Sequence, residues 1–205
     1  NIHFVRMGKK NFNNIDLIDY QYLVISSALI AIWFITDIFG LIEKNNWIFW
    51  SKIMQYEPHR FFTSTIIHAD AEHLLLNLGG IIVARAIFKR LGMRNNWLFL
   101  ILTIFLMPSS TLLMWIWEEV VSNANSAALG FSGVIYGVNA FLLLCAIYGK
   151  NTFFRTHINI YKNYQVRQSM IVLTIIGQIW NYSGGVSILG HNSGFVAGII
   201  LFLIS

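Results

Sequence analysis

A serine and a histidine far apart in the sequence are the strongest candidates for chemistry in this chain. Ser132 lies in the segment Gly-Phe-Ser-Gly, and His191 lies in the segment Gly-His-Asn-Ser-Gly. Histidine suits the role of general base because its unperturbed pKa, about 6.5, is close to working pH. A serine in contact with such a base can act as a nucleophile. The pair therefore indicates acyl-transfer chemistry, provided that the fold brings the two residues together.

Acyl transfer also requires hydrogen-bond donors for the oxyanion of its intermediate. His73 and Asn77 are spaced i, i+4 and so share one helical face, and His68 comes just before them. The His73 imidazole, the Asn77 amide and the backbone N–H of Ser132 are the candidate donors. No acidic residue is expected at the depth of His191, so the sequence predicts a Ser-His dyad and not a triad.

Each of these residues also has a purely structural interpretation. A serine at a helix start is often a cap, and an asparagine inside a membrane often joins two helices. An intramembrane histidine can simply donate to a neighbouring carbonyl. Catalysis is favoured because all of them are expected at one depth and on facing surfaces.

The composition shows which elements must position these residues. Of 205 residues, 56% are hydrophobic and only 11% are charged, whereas a soluble domain has about 25% charged residues. One cysteine and two prolines exclude a disulfide scaffold and a proline-rich disordered chain. The net charge of +5 falls in short blocks between apolar runs, which argues against a nucleic-acid partner. We expect an all-α, polytopic membrane protein in a lipid bilayer.

Six apolar stretches approach the length of about 20 residues that a spanning helix needs. We predict a cytoplasmic segment over residues 1–21 and a six-helix domain over residues 22–205. The predicted spans are 22–42, 73–88, 97–117, 132–149, 169–184 and 190–205.

The distribution of Lys and Arg between the loops predicts the orientation. Ten lie on one side and three on the other. The ten are Arg6, Lys9, Lys10, Lys89, Arg90, Arg94, Lys150, Arg155, Lys162 and Arg167, and the three are Lys44, Lys52 and Arg60. We therefore expect a multi-pass protein of the cell (inner) membrane with both termini cytoplasmic. The second, fourth and sixth spans then begin near the outer face, at similar depth.

Glycine spacing predicts which helix faces meet. Gly133 and Gly137 form a small-xxx-small ridge on the fourth span, and Gly194 and Gly198 form another on the sixth. Such ridges let two helix backbones approach closely. His191 lies on the glycine face of its helix, so packing of the two ridges would bring it to Ser132.

Taken together, these motifs resemble those of the rhomboid family of intramembrane serine proteases. The resemblance extends from about Arg60 to the last residue. It includes His68, the H-x-x-x-N motif of His73 and Asn77, the Gly-Phe-Ser-Gly segment with Tyr136, and His191 with its two following glycines. It implies a rhomboid-like six-helix core and no metal or other cofactor. It further implies transmembrane protein substrates, cleaved near their outer ends.

The same resemblance implies a role for each motif residue. Ser132 would be the nucleophile and His191 the base, with His73 and Asn77 at the oxyanion and Tyr136 stacked beneath His191. The residues implied to support this site are His68, Gly130, Gly133, Gly194 and Gly198.

The resulting expectation is a serine endopeptidase that hydrolyses peptide bonds in or near transmembrane segments. The alternative is a non-catalytic rhomboid-like protein that binds transmembrane helices, and loss of Ser132 or His191 would mark such a protein. A transporter or channel would more naturally have paired acids or helix breaks at mid-membrane. The sequence leaves the substrate, the cleavage-site preference and the oligomeric state open.

Overall fold

The long apolar runs of the sequence form helices in the computed structural model, which describes residues 15–149, 163–180 and 187–205. A helix satisfies its own backbone N–H and C=O groups, as a lipid environment requires. These ranges contain α1 (Leu17–Trp33), α2 (Arg60–Ile66), α3 (Ala71–Arg90), α4 (Leu98–Trp117), α5 (Ser132–Tyr148), α6 (Tyr164–Trp180) and α7 (Ile188–Ile204). The predicted all-α class is confirmed.

Three helical stretches of the described residues are long and apolar enough to cross a bilayer: Leu17–Ile38, Ala71–Arg90 and Leu98–Ser122. The first and third add π-helical segments, Phe34–Ile38 and Glu118–Ser122, to α1 and α4. The apolar helices α5 and α7 have 17 residues each. At 1.5 Å per residue each is about 26 Å long, less than the roughly 30 Å hydrocarbon core. The count of six spans therefore stays a prediction.

The first helix begins at Leu17, earlier than the predicted start at residue 22. Its first turn contains polar residues that a hydropathy criterion rejects but that have partners in the fold. The Asp19 carboxylate accepts the Asp16 N–H and pairs with Arg85 and Lys89 at the end of α3. Tertiary ion pairs thus allow the helix to begin in a polar stretch.

The fifth predicted span is also shifted, because α6 begins at Tyr164 and not at residue 169. The Arg167 guanidinium lies over the Tyr164 ring, 5.0 Å from its centroid, which stabilises the first turn. Residues 181–184 of the predicted span lie outside the described residues. So do most of residues 1–21, and the cations Arg6, Lys9, Lys10, Lys150, Arg155 and Lys162.

The long connection over residues 43–72 contains elements that the sequence did not predict. Strand β1 (Phe49–Trp50) pairs antiparallel with β2 (Ala127–Ala128), with Phe49 opposite Ala128. The short helix α2 follows, and its buried Arg60 donates to the carbonyl of Asn45 (2.7 Å) and to that of Ile48 (2.6 Å). A charged residue thereby ties the first part of this connection to α2.

Helix α5 lies at the centre of the bundle. It packs most extensively against α7 and also contacts α3, α4 and α6. Its inward residues include Val134, Val138 and Phe141, which are all buried in the main apolar core. The first residue of this central helix is Ser132, so the fold places the candidate nucleophile at the end of its best-packed element.

Candidate active site

The two glycine ridges pack against each other, as their spacing predicts. A Cβ atom added to Gly194 would overlap the Gly133 carbonyl, and one added to Gly198 would overlap the Gly137 carbonyl. At these two positions backbone therefore touches backbone between α5 and α7. This contact fixes the relative position of the first turns of both helices.

His191 and Ser132 meet at the end of this interface. The Nε2 atom of His191 lies 2.7 Å from the Oγ atom of Ser132, which is a hydrogen-bond distance. Ser187 caps the start of α7 by accepting the Gly190 N–H, and the His191 N–H donates to the Ser187 carbonyl. His191 is 6% exposed, so its imidazole is held largely within the bundle. A nucleophile and a general base require such an arrangement.

Tyr136 fixes the plane of the imidazole. Its ring stacks on that of His191, with centroids 4.4 Å apart and an angle of 9° between the planes. The Tyr136 hydroxyl donates to the Gly177 carbonyl of α6 at 2.8 Å. The stacked arrangement that the family resemblance implies is thus present, and a third helix holds the tyrosine in place.

The turn before α5 brings the chain close to His73. Gly130 has φ +111°, a conformation that favours glycine, and its N–H donates to the Ser64 carbonyl at 2.8 Å. A Cβ atom at this position would lie 2.6 Å from the His73 Nε2 atom. Only glycine therefore allows the imidazole to pack against the turn that leads into Ser132.

The start of α3 holds the second pair of candidate residues. Asp70 caps the helix by accepting the His73 N–H at 2.8 Å. The buried Asn77 amide donates to the His73 carbonyl at 2.8 Å. Within the described residues, Asn77 makes no hydrogen bond to Ser132 or His191. The structure thus brings His73 to the turn before Ser132, and it places Asn77 one helical turn further along α3.

His68 packs behind His73. The two rings lie edge to face, with centroids 5.2 Å apart. His68 is fully buried, and neither of its ring nitrogens has a hydrogen-bond partner among the described residues. Burial lowers the pKa of His68 to about 4, and the nearby His73 contributes in the same direction. His68 is therefore neutral at pH 7 and acts as a packing group against His73.

A cavity of about 280 Å³ opens onto these residues. His73, Ser132 and His191 line it, together with the strand residues Ala127 and Ala128. The contribution of β2 was not predicted, because two alanines carry no strand pattern. No group of three or more His, Cys, Asp and Glu side chains in the described ranges could hold a metal ion.

Comparison with known proteins assigns the family. A search of curated proteins gives no significant match. The family model for the rhomboid domain matches residues 55–205, well over half of the chain. All the site residues described above lie within this range. The chain therefore belongs to the rhomboid family.

Proposed function

We propose that this protein is an intramembrane serine endopeptidase that uses Ser132 and His191 as a catalytic dyad. The observation that supports this most directly is the 2.7 Å contact between His191 Nε2 and Ser132 Oγ beside a cavity. Membership of the rhomboid family agrees with this chemistry. A six-span domain preceded by a cytoplasmic segment is part of the same proposal, with the start of the domain moved from residue 22 to Leu17, where α1 begins.

The reaction would proceed in two steps. Ser132 Oγ attacks the carbonyl carbon of the scissile peptide bond, and its proton passes to His191 Nε2. His191 then gives this proton to the leaving amine nitrogen, the C–N bond breaks, and an acyl-enzyme ester remains. In the second step a water molecule loses a proton to His191 and attacks the ester carbonyl carbon. The ester C–O bond then breaks, the new carboxyl group leaves, and His191 returns the proton to Ser132 Oγ.

The oxyanion of each step needs donors at the turn before α5. The backbone N–H of Ser132 is one candidate, since the first amides of a helix have no partner within it. His73 is the second, because its imidazole packs against Gly130 and lines the cavity. Asn77 is the third, since its amide has two N–H groups and the His73 carbonyl takes one. His68, Gly130 and Tyr136 support these groups by packing.

The substrates would be membrane proteins with a transmembrane segment that unwinds near its outer end. A peptide bond inside a stable helix has its carbonyl hydrogen-bonded and screened by side chains, so it is closed to a nucleophile. Water is needed for the second step, and the cavity at Ser132 could admit it.

A fluorophosphonate probe tests the proposal directly. The Ser132 oxygen would bond to phosphorus, fluoride would leave, and His191 would take the hydroxyl proton. We expect the purified protein to gain one adduct, which peptide mass spectrometry maps to Ser132. A family member that binds transmembrane helices without cleaving them would show no adduct and no cleavage of a reporter transmembrane substrate.

Replacing Asn77 by alanine separates an oxyanion role from a structural one. Loss of one oxyanion donor typically lowers kcat by about 10²–10³-fold. The structural role of Asn77 is its bond to the His73 carbonyl of its own helix, and loss of such a hydrogen bond costs only about 1 kcal/mol of stability. For Asn77→Ala we expect a large loss of kcat with little change in KM or melting temperature. The His73→Ala variant should behave alike but less severely, because water can replace an imidazole donor.

The measurement is steady-state kinetics on a reporter transmembrane substrate, beside a thermal melt of each variant. Wild-type kcat in a folded Asn77→Ala protein would remove Asn77 from the oxyanion site.

Thiol labelling tests the proposed orientation, with both termini cytoplasmic in the cell (inner) membrane. Cys145 is the one cysteine of the sequence and is buried. Labelling of a variant with one added cysteine therefore reports on the added position. Cysteines at the exposed positions Asn46 and Asn125 should react with a membrane-impermeant maleimide in intact cells. A cysteine at exposed Asn95 should react only after permeabilisation. The reverse pattern would place Ser132 near the cytoplasmic face.

A further inference from the structure

A buried carboxylate lies at the end of α4, outside the motifs of the proposed active site. Glu118 directly follows α4 and is only 4% exposed. Each of its carboxylate oxygens accepts one serine hydroxyl. Ser122 donates to one oxygen at 3.0 Å, and Ser126 donates to the other at 2.8 Å.

Glu118 forms no ion pair with a cation in the described part of the chain. The next residue, Glu119, does form an ion pair: Lys52 Nζ lies 3.6 Å from its carboxylate. The same Lys52 donates a hydrogen bond to the Asn123 side chain. A buried carboxylate without a cation is costly, and an apolar side chain of similar size would avoid that cost. What the carboxylate provides instead is two directed hydrogen bonds into the loop that follows.

That loop is also held from its other side by Ser51, which directly follows β1. The Ser51 N–H donates to the Ser126 carbonyl at 3.2 Å, and the Ser51 hydroxyl donates to the Ala124 carbonyl at 3.1 Å. The Ala124 N–H in turn donates to the Ser122 hydroxyl at 3.3 Å. The loop over residues 122–126 is thus held between the end of α4 and the long connection over residues 43–72.

This loop leads straight into the site. After Ser126 come the strand β2, whose two alanines line the cavity, and then the Gly130 turn and Ser132. We propose that Glu118 is a positioning residue: it holds this loop so that β2 forms a fixed cavity wall at the right distance from the dyad. This inference rests on the proposed peptidase function, since the wall would orient the polypeptide.

The proposal predicts different effects on two reactions of the same serine. The dyad is held by α5 and α7, so a small fluorophosphonate should label Ser132 in Glu118→Leu at nearly the wild-type rate. Cleavage of a transmembrane reporter depends on the wall as well. We expect its kcat/KM to fall at least about tenfold, since a displacement of 1 Å at a site can cost 10²-fold.

Three variants complete the design. Glu118→Gln keeps one acceptor oxygen and should recover part of the lost cleavage, which also covers the case that the leucine variant fails to fold. Adding Ser126→Ala to Glu118→Leu should cause little further loss, because both changes break the same bond. Glu119→Leu is the matched control and should cleave like wild type, because Glu119 is half-exposed and bonds no loop serine.

Hydrogen exchange gives a readout that does not depend on catalysis. Amides of residues 122–130 should exchange faster in Glu118→Leu than in Glu119→Leu, while those of α5 and α7 stay unchanged. Unchanged loop exchange, unchanged cleavage, or equal losses of cleavage and probe labelling would each overturn the positioning role. If the wild type neither labels nor cleaves, the proposed function fails, and the exchange result still decides whether Glu118 holds the loop.

Discussion

Cleavage of a transmembrane reporter should be abolished when either Ser132 or His191 is replaced by alanine. We expect kcat to fall by on the order of 10⁴–10⁶ in each variant, because a nucleophile and its base act as one unit. For the same reason the double variant should be no worse than either single one. The measurement is gel-based turnover of the reporter in detergent or proteoliposomes, together with fluorophosphonate labelling of every variant.

Ser169→Ala is the matched control for this pair. Ser169 is an exposed serine on α6 whose hydroxyl donates to the Gln165 carbonyl of its own helix. It should keep wild-type turnover and labelling. Clear residual cleavage by Ser132→Ala, at a rate above the uncatalysed background, would contradict a serine mechanism.

Replacing Gly198 by alanine should lower the stability of the fold. The new Cβ would overlap the Gly137 carbonyl, and backbone atoms cannot move aside as a flexible side chain can. Overpacking of this kind typically costs about 1–3 kcal/mol, and a rigid backbone contact belongs at the upper end. At about 2–4 °C per kcal/mol for a protein of this length, such a loss lowers Tm by roughly 2–12 °C. Thermal unfolding followed by circular dichroism measures it.

Gly79→Ala is the matched control, because no heavy atom lies within 4 Å of its added Cβ. Alanine is the better helix former by about 0.5–1 kcal/mol, so this variant should be as stable as wild type or slightly more stable. If Gly198→Ala melts like Gly79→Ala and retains turnover, α5 and α7 do not pack through their glycines.

The features that could be predicted from the sequence follow from local periodicity. The ridges of Gly133–Gly137 and Gly194–Gly198 repeat every four residues, and this spacing alone places them on one face of each helix. Their packing also brings His191 to Ser132, which is why two residues 59 positions apart could be paired before the fold was known. The stacking of Tyr136 on His191 was expected from the family resemblance and not from spacing.

The features that could not be predicted depend on contacts between distant segments. Two alanines have no strand pattern, yet Ala127–Ala128 pairs with Phe49–Trp50. This pairing depends on where the fold places the long connection over residues 43–72. Arg60 and Glu118 look like ordinary surface charges in the sequence, but the fold buries both. The early start of α1 likewise depends on ion pairs that Asp19 makes with a distant helix.

Asn77 shows the limit of an argument from helical faces. Its spacing correctly places it one turn after His73. The spacing could not indicate that its amide would donate back to the His73 carbonyl, because such a bond depends on the side-chain rotamer. The number of amide hydrogens left for an oxyanion is therefore a property of the fold.

The backbone contact between α5 and α7 also has a consequence for biosynthesis. Membrane helices are made and inserted in chain order, and α5 with Ser132 precedes α7 with His191. Helix α5 therefore enters the membrane before α7 is complete. Until α7 docks, Ser132 would lack the proposed base and would react like an ordinary alcohol. In the docked state Gly194 and Gly198 of α7 contact the backbone carbonyls of Gly133 and Gly137. An α7 that has not made these contacts would not bring the His191 imidazole within hydrogen-bond distance of Ser132. Under the proposed mechanism, a nascent chain that lacks a docked α7 would be unable to cleave neighbouring proteins.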